Sequence, residues 1–273
     1  MRIINTTSVF PKCHDSFDAL ERLAMAGYDG IDMAFDYCVQ DKSFPFMTDK
    51  YEGWAYRLRE KAEELGVVYT HSHASFDASV RGELVERTLR CASILGAKYL
   101  VVHPCCHMGT RAITDEEEYI RHNADMITPL LSVAEKHGMV LLTENLLNGA
   151  SSRVQVVSRL VEEVDSPWFS WCYDVGHAHS EGDSLENFRA VSVAPLSLHV
   201  HDNDGTYDEH LIPGYGTLDF GELLRSLKAV GYKGDFVLEA HEQCKEAPDI
   251  ERDGILRDLL DRSRKMVEYY NSI

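Results

Sequence analysis

Short apolar runs alternate along the whole chain with amphipathic segments of helical period. Residues 2–6 read as a strand, and Ser16–Ala26 follows with Phe17, Leu20, Leu23 and Ala24 on one helical face. Gly27 closes that helix, since glycine accepts the left-handed turn of a helix end. Gly30–Ala34 is the next strand. A polar and aromatic loop over 36–50 leads to a helix carrying Trp54, Leu58, Ala62 and Leu65 at helical spacing, stopped by Gly66. Residues 67–71 form the third strand, running on to His73, and Glu83–Leu95 with its cap Gly96 precedes the fourth, Tyr99–His103.

The rhythm continues unbroken. Residues 115–137 are a long helix with Thr114 as N-cap and a kink at Pro129, and residues 139–144 are strand five. Val154–Val164 is helical, Phe169–Asp174 is strand six, and a weaker helix over 185–193 leads into strand seven at 196–200. A helix over 220–230, a strand over 235–239 and a final helix over 250–270 complete the series.

Eight strand–helix repeats with apolar strand centres predict a parallel sheet covered by helices. No linker or compositional break divides the 273 residues, and a (β/α)8 TIM barrel commonly takes about 250. The expectation is therefore one TIM-barrel domain over residues 1–273. A doubly wound open sheet is the alternative, but it calls for a glycine fingerprint after the first strand, and NTTSVF has none.

Composition narrows the partners. The net charge of −18 gives a general field that repels nucleic acid and anionic membranes. No apolar run approaches the roughly 20 residues of a membrane span, and the first ten residues lack the layout of a signal peptide. Seven cysteines, without CxxC spacing, read as reduced thiols in a cytoplasm, the adjacent Cys105 and Cys106 included. Nothing in the pattern speaks for or against a homo-oligomer.

In a TIM barrel the active site is built at the carboxyl ends of the strands. From the third strand to the eighth those ends read His73, His103, Glu144, Asp174, His201 and Glu239. The central segment, LHVHDNDGTYDEHLIPGYGTLDF, adds Asp208 and His210 after strand seven. A lone strand-end histidine or aspartate is more often a structural group than a ligand. That plainer reading is kept for His71, His107, His179, His199 and Asp202, while His14, His122 and His137 carry no functional weight. For the converging set it is poor, because burying three carboxylates together without a cation costs several kcal/mol each. Glu144, Asp174, His201 and Glu239 make an oxygen-rich site suited to one divalent ion, Mn2+ first, with Mg2+, Co2+ or Zn2+ as alternatives.

These residues also carry a resemblance. The stretches Thr143-Glu144-Asn145, YDVGHAH, HVHDND, DEHLIPGYGTLDF and FVLEAHE resemble, in order, those of the sugar phosphate isomerase/epimerase superfamily with the xylose-isomerase-like barrel. That superfamily includes ketose 3-epimerases, inosose dehydratase-type and hydroxypyruvate isomerase-type enzymes, and endonuclease IV. The resemblance implies Glu144, Asp174, His201 and Glu239 as metal ligands, Glu144 and Glu239 as paired acid/base glutamates, and His177 as a substrate contact. It also implies an alternative. His73, His103 and Glu144, with His177, Asp208 and His210, match the further ligands of endonuclease IV's trinuclear zinc cluster, which acts on abasic DNA.

The sugar-enzyme expectation is concrete. A small sugar or sugar phosphate binds the ion through adjacent oxygens. One glutamate removes a proton next to the carbonyl, and the other returns one to the opposite face or the neighbouring carbon, through a metal-stabilised enediolate. His73, His103, His177, Asp208 and His210 contact substrate. Elimination of water by the same groups would make a dehydratase. A binding barrel without turnover is disfavoured, since it needs no base on each face. Phe10, Phe35, Tyr37 and Trp54 are candidates for an aromatic wall or for core, and Arg111, Arg153 and Lys245 for meeting a phosphate.

Overall fold

The computed structural model describes residues 1–273. Eight parallel strands run in chain order: β1 (Ile3–Thr6), β2 (Gly30–Ala34), β3 (Val68–Asp77), β4 (Tyr99–His103), β5 (Val140–Glu144), β6 (Phe169–Asp174), β7 (Ser197–His199) and β8 (Phe236–Leu238). Each pairs with the next, and β8 pairs with β1. The last seam, between β7 and β8, is made by Val200: its amide donates to Val237 O at 2.8 Å, and its carbonyl accepts from Glu239 N at 3.0 Å. The sheet is thereby a barrel and has no free edge. Arg2 makes a bidentate contact to Asp235, at 2.9 and 2.8 Å, across the β1–β8 seam.

The outer layer is α1 (Ser16–Ala26), α2 (Tyr51–Leu65), α3 (Glu83–Leu95), α4 (Glu116–His137), α5 (Val154–Val164), α6 (Leu185–Arg189), α7 (Phe220–Ala229) and α8 (Asp249–Ser272). The predicted glycine stops at Gly27, Gly66 and Gly96 adopt the left-handed conformation that ends α1 to α3, and Gly138 ends α4 in the same way. The main core lies between strands and helices and takes in Leu20, Leu58, Leu89, Leu160 and Leu227. A second, small cluster of Val101, Leu142 and Cys172 fills the barrel interior. All seven cysteines are free thiols, and no helix is long and apolar enough to cross a membrane.

The architecture matches the expected alternation, with differences concentrated at the carboxyl ends of the strands. Strand β3 continues to Asp77, and an irregularity between His73 and Asp77 brings that residue level with His103 at the end of β4. Short helical turns follow two strands directly, at Phe35–Cys38 and Val175–Ser180, and a third, Glu242–Glu246, begins shortly after β8. They are too short for a helical period to show in sequence. A small hairpin pairs His107–Met108 with Arg111–Ala112. Helix α4 is capped by Asp115, not Thr114, because the Asp115 carboxylate accepts from Glu118 N at 2.8 Å, and the helix runs through Pro129. Of the aromatic candidates, Phe10, Phe35 and Trp54 are core residues, and Tyr37 alone reaches the cavity above the barrel.

Candidate functional site

The strand ends converge as the barrel geometry requires, and Asn145 fixes the first two. Its side chain accepts from Asp174 N and donates to Asp174 O, both at 2.8 Å, so that the ends of β5 and β6 are locked together. Asp174 then caps the short helix Val175–Ser180, with its carboxylate accepting from His177 N at 2.7 Å. Glycine is required two residues on: a Cβ at Gly176 would lie 1.9 Å from the His201 ring.

Glu144, Asp174 and Glu239 come together as expected, but the imidazole among them belongs to His199. Its Nδ1 is 2.6 Å from Glu144 Oε1, 3.3 Å from Glu239 Oε2 and 3.9 Å from Asp174 Oδ2. The ligand atoms of these four buried residues all lie within 4.8 Å of one another. His201, assigned to this set from sequence, stands elsewhere. Its Nε2 lies 3.0 Å from Asp174 Oδ1 and 3.2 Å from Oδ2, and its ring stacks on His210 at 3.9 Å. The reason is register. Strand periodicity aims residues 199 and 201 at the same face, and the pairing of β7 with β6 sets His199 level with Asp174.

His177, Asp208 and His210 form a second group with His201. His177 Nδ1 lies 2.9 Å from Asn145 O and His210 Nδ1 2.9 Å from Glu239 O, so both rings use the Nδ1 hydrogen on a carbonyl. Their Nε2 atoms then point at one carboxylate oxygen, Asp208 Oδ2, at 3.2 and 3.0 Å. Lone pairs facing a carboxylate are repulsive unless the rings are protonated or a cation lies among them. His210 holds this place from a left-handed backbone, φ 45°, a conformation that non-glycine residues keep only where the surroundings enforce it. His73 and His103 also face each other, Nε2 to Nε2, at 3.0 Å. They border the glutamates, with His103 Nε2 3.4 Å from Glu144 Oε2 and His73 Nδ1 3.6 Å from Glu239 Oε1. His73, Glu144 and His199 thus make a third potential ligand group.

The electrostatics have the same cause. Burial alone would raise the Glu144 carboxyl, but the His199 charge and the contacts from His103 and His199 hold it well below the usual range. Glu239 is likewise depressed against its burial by His199 and His73. Burial disfavours the charged form of His73, yet Glu239 raises it to about 9, and Asp208 raises His210 to about 9 against the same penalty. Protonation of the raised histidines is one source of the positive charge that these carboxylates need. A divalent ion would supply it equally, and the donor set of three carboxylate residues and one imidazole fits such an ion. Glu144 Oε2 is buried without a hydrogen-bond partner, which leaves a lone pair free for it, and Asp208 Oδ1 is likewise unpartnered in the second group.

The remaining assignments separate cleanly. Asp202 is structural: it is fully buried and accepts from Asn203 N, Gly214 N, Gly216 N and Leu218 N at 2.8–3.2 Å, stapling the Pro-Gly-Tyr-Gly turn. Gly216 is obligatory there, since a Cβ would lie 2.2 Å from Asn203 O. His71 is buried against Thr70, and His179 bonds Thr217 at 2.9 Å. Sequence reasoning passed over His199, and also His241, which lines the cavity and stacks on His210 at 4.1 Å. The presence of two histidines in HVH was the available signal for His199. His241 had none beyond its place after the last strand.

A family model described as xylose isomerase-like TIM barrel matches residues 20–266. An uncharacterised protein of Methanocaldococcus jannaschii is 26% identical over 207 residues, 71% of this chain and 70% of its own length. Among solved structures, D-psicose 3-epimerase in the presence of D-fructose superposes with a TM-score of 0.76 at 16% identity, over 97% of this chain and 99% of that one. The IolI protein with a bound zinc atom gives 0.76 at 18%, over 100% and 99%. At such identities these likenesses establish the fold.

Proposed function

We propose that this chain, which belongs to the xylose isomerase-like TIM barrel family, is a divalent-metal-dependent sugar isomerase or epimerase. The observation that carries the reading is the convergence of Glu144, Asp174, His199 and Glu239. Two of the four are glutamates, held ionised from separate strand ends. The neighbouring folds support it, since one is that of a ketose epimerase and another that of a zinc-bound protein.

Glu144, Asp174, His199 and Glu239 would hold the ion, with Mn2+ the expected occupant and Mg2+, Co2+ or Zn2+ the alternatives. When bound, it would polarise a substrate carbonyl and the adjoining hydroxyl. The chain's own groups do the proton work. One glutamate takes the proton from the carbon beside the carbonyl, and the other delivers one to the opposite face or the next carbon. Glu144 presents Oε2, which has no competing hydrogen bond, and Glu239 presents Oε1 beside His73. His103, His177, Asp208 and His210 line the cavity and would fix the sugar hydroxyls. A cytoplasmic setting belongs to the same proposal and agrees with seven free thiols.

A second reading has one observation in its favour. The three ligand groups together could hold more than one ion, as a phosphodiesterase acting on abasic DNA would require. Against it, no arginine or lysine lines the cavity. The test is proton exchange. Mn2+-loaded protein is incubated in heavy water with a panel of ketoses, and deuterium entering beside the carbonyl is followed by NMR. Exchange is expected with at least one ketose and about one ion per chain. Three zinc ions per chain with incision of abasic duplex, and no exchange, would replace the sugar reading by the nuclease.

A further inference from the structure

An imidazole has two nitrogens, and in His199 it is Nδ1 that faces Glu144, Glu239 and Asp174. A ring that gives the lone pair of Nδ1 to an ion is neutral and carries its hydrogen on Nε2. Nε2 of His199 is buried and meets no hydrogen-bond partner. Ligating histidines nearly always give that hydrogen to a carboxylate, a carbonyl or a water, and the bond sets the tautomer and the orientation of the ring. A carboxylate suited to the task stands inside the same barrel.

Asp32 lies in the middle of β2. Ile31 and Met33 on either side belong to the core between strands and helices, so strand alternation turns Asp32 into the barrel. It is 1% exposed, and neither of its carboxylate oxygens has a hydrogen-bond partner. A buried carboxylate without partners is costly, and its place in a fold calls for a bound water, an ion or a function. Burial pushes the Asp32 carboxyl up to about 6, against the charges of His199 and His73. β7, which carries His199, is separated from β2 by β8 and β1, so the two residues act on each other through the barrel interior. Strand pairing sets His71 level with Asp32. Burial, and after it the His199 charge, lowers the His71 ring to about 3 and keeps it neutral. Its Nδ1 lies 2.8 Å from Thr70 Oγ1, and its Nε2 is buried without a partner as well.

No histidine nitrogen comes within 4.0 Å of the Asp32 carboxylate, so its contact with His199 is not direct. A water that bridges two groups holds them roughly 5 Å apart and typically makes about three hydrogen bonds. Cys172, of the small interior cluster, is a further neighbour of the His199 ring, but a thiol is a weak acceptor.

Resting on the reading of Glu144, Asp174, His199 and Glu239 as an ion site, we infer that Asp32 is a positioning residue for His199 and acts through one buried water. The water accepts the Nε2 hydrogen of His199 and donates to the Asp32 carboxylate and to Nε2 of His71. The three bonds give each of these residues the partner that the protein itself does not supply. They fix the His199 ring with Nδ1 toward the ion and make that nitrogen a stronger donor. Asp32 touches neither substrate nor ion.

The inference is tested on chelator-stripped full-length protein reloaded with Co2+. Titration calorimetry gives the affinity. Proton NMR of the Co2+ form follows the ring N–H of the ligating histidine, a shifted signal that exchanges with solvent. Asp32→Ala is expected to weaken Co2+ binding by about 10–100-fold, the range for loss of a group that orients a ligand, and to erase the N–H signal through faster exchange. Asp32→Asn keeps the shape and one acceptor oxygen, so it should lose less affinity while still speeding the exchange. Circular dichroism verifies both folds, and Asp32→Asn carries the test where Asp32→Ala does not fold. Cys172→Ala should leave affinity and signal unchanged. A loss smaller than about tenfold in Asp32→Ala overturns the inference and leaves the ion site standing. So does an N–H exchange that Asp32→Asn does not alter, or a loss that follows Cys172→Ala in place of Asp32→Ala. Failure of the wild-type protein to bind Co2+ overturns both the inference and the ion site.

Discussion

His199 and Glu144 meet at 2.6 Å, Nδ1 to Oε1, although 55 residues separate them in the chain. The contact joins the end of β7 to the end of β5 across Asp174 of β6, which is level with His199 in the strand pairing. It makes His199, not His201, the imidazole of the carboxylate-rich group. His201 instead contacts both carboxylate oxygens of Asp174 and so orients it.

That division of labour predicts unequal losses. His199→Ala should weaken Mn2+ binding by more than about 100-fold, as removal of a direct ligand does. His201→Ala should weaken it by about 10–100-fold, the usual range for a residue that orients a ligand. Titration calorimetry on the chelator-stripped protein measures both. A larger loss from His201→Ala than from His199→Ala would reverse the assignment.

The two glutamates can be separated from ion binding. Glu239→Gln keeps the shape and one oxygen donor but removes the base. Ion affinity should fall only partly, whereas turnover of the ketose found by proton exchange should fall about 10²–10⁴-fold. Near-normal turnover with the ion bound would be incompatible with proton transfer by this pair.

Protonation and ion binding compete in this cluster. His73 and His210 are both raised to about 9, above the roughly 6.5 expected in the unfolded chain. In ion-free protein the stability they contribute is fully present below pH 6.5 and is lost as pH rises through 9. The thermal midpoint of the chelated protein should therefore fall over that window. Mn2+ affinity should rise over the same window, because binding displaces protons from the histidines. A flat ion affinity between pH 6.5 and 9 would show that these rings do not exchange protons for the ion.

Asp202 offers a prediction independent of chemistry. It accepts four main-chain hydrogen bonds while fully buried, so Asp202→Ala leaves those amides without their acceptor. A loss of about 3 kcal/mol is expected, read from urea unfolding. A loss below about 0.5 kcal/mol would mean that the turn is held by other contacts.

Local chemistry along the chain was enough to determine the barrel. Strand-period and helix-period runs alternate, and left-handed glycines end four of the helices, so Ser16–Ala26, Glu83–Leu95, Tyr99–His103, Val154–Val164 and Phe169–Asp174 are legible residue for residue. Periodicity needs several turns to register, so the one-turn helices after β2, β6 and β8 escaped it. The strand-end carboxylates Glu144, Asp174 and Glu239 were legible for a topological reason, since all eight strands of such a barrel point their carboxyl ends at one mouth. What tertiary structure alone decided is which histidine joins them. Residues 199 and 201 share a face at any strand period of two, and only the register against β6 places one level with Asp174 and the other two residues beyond it.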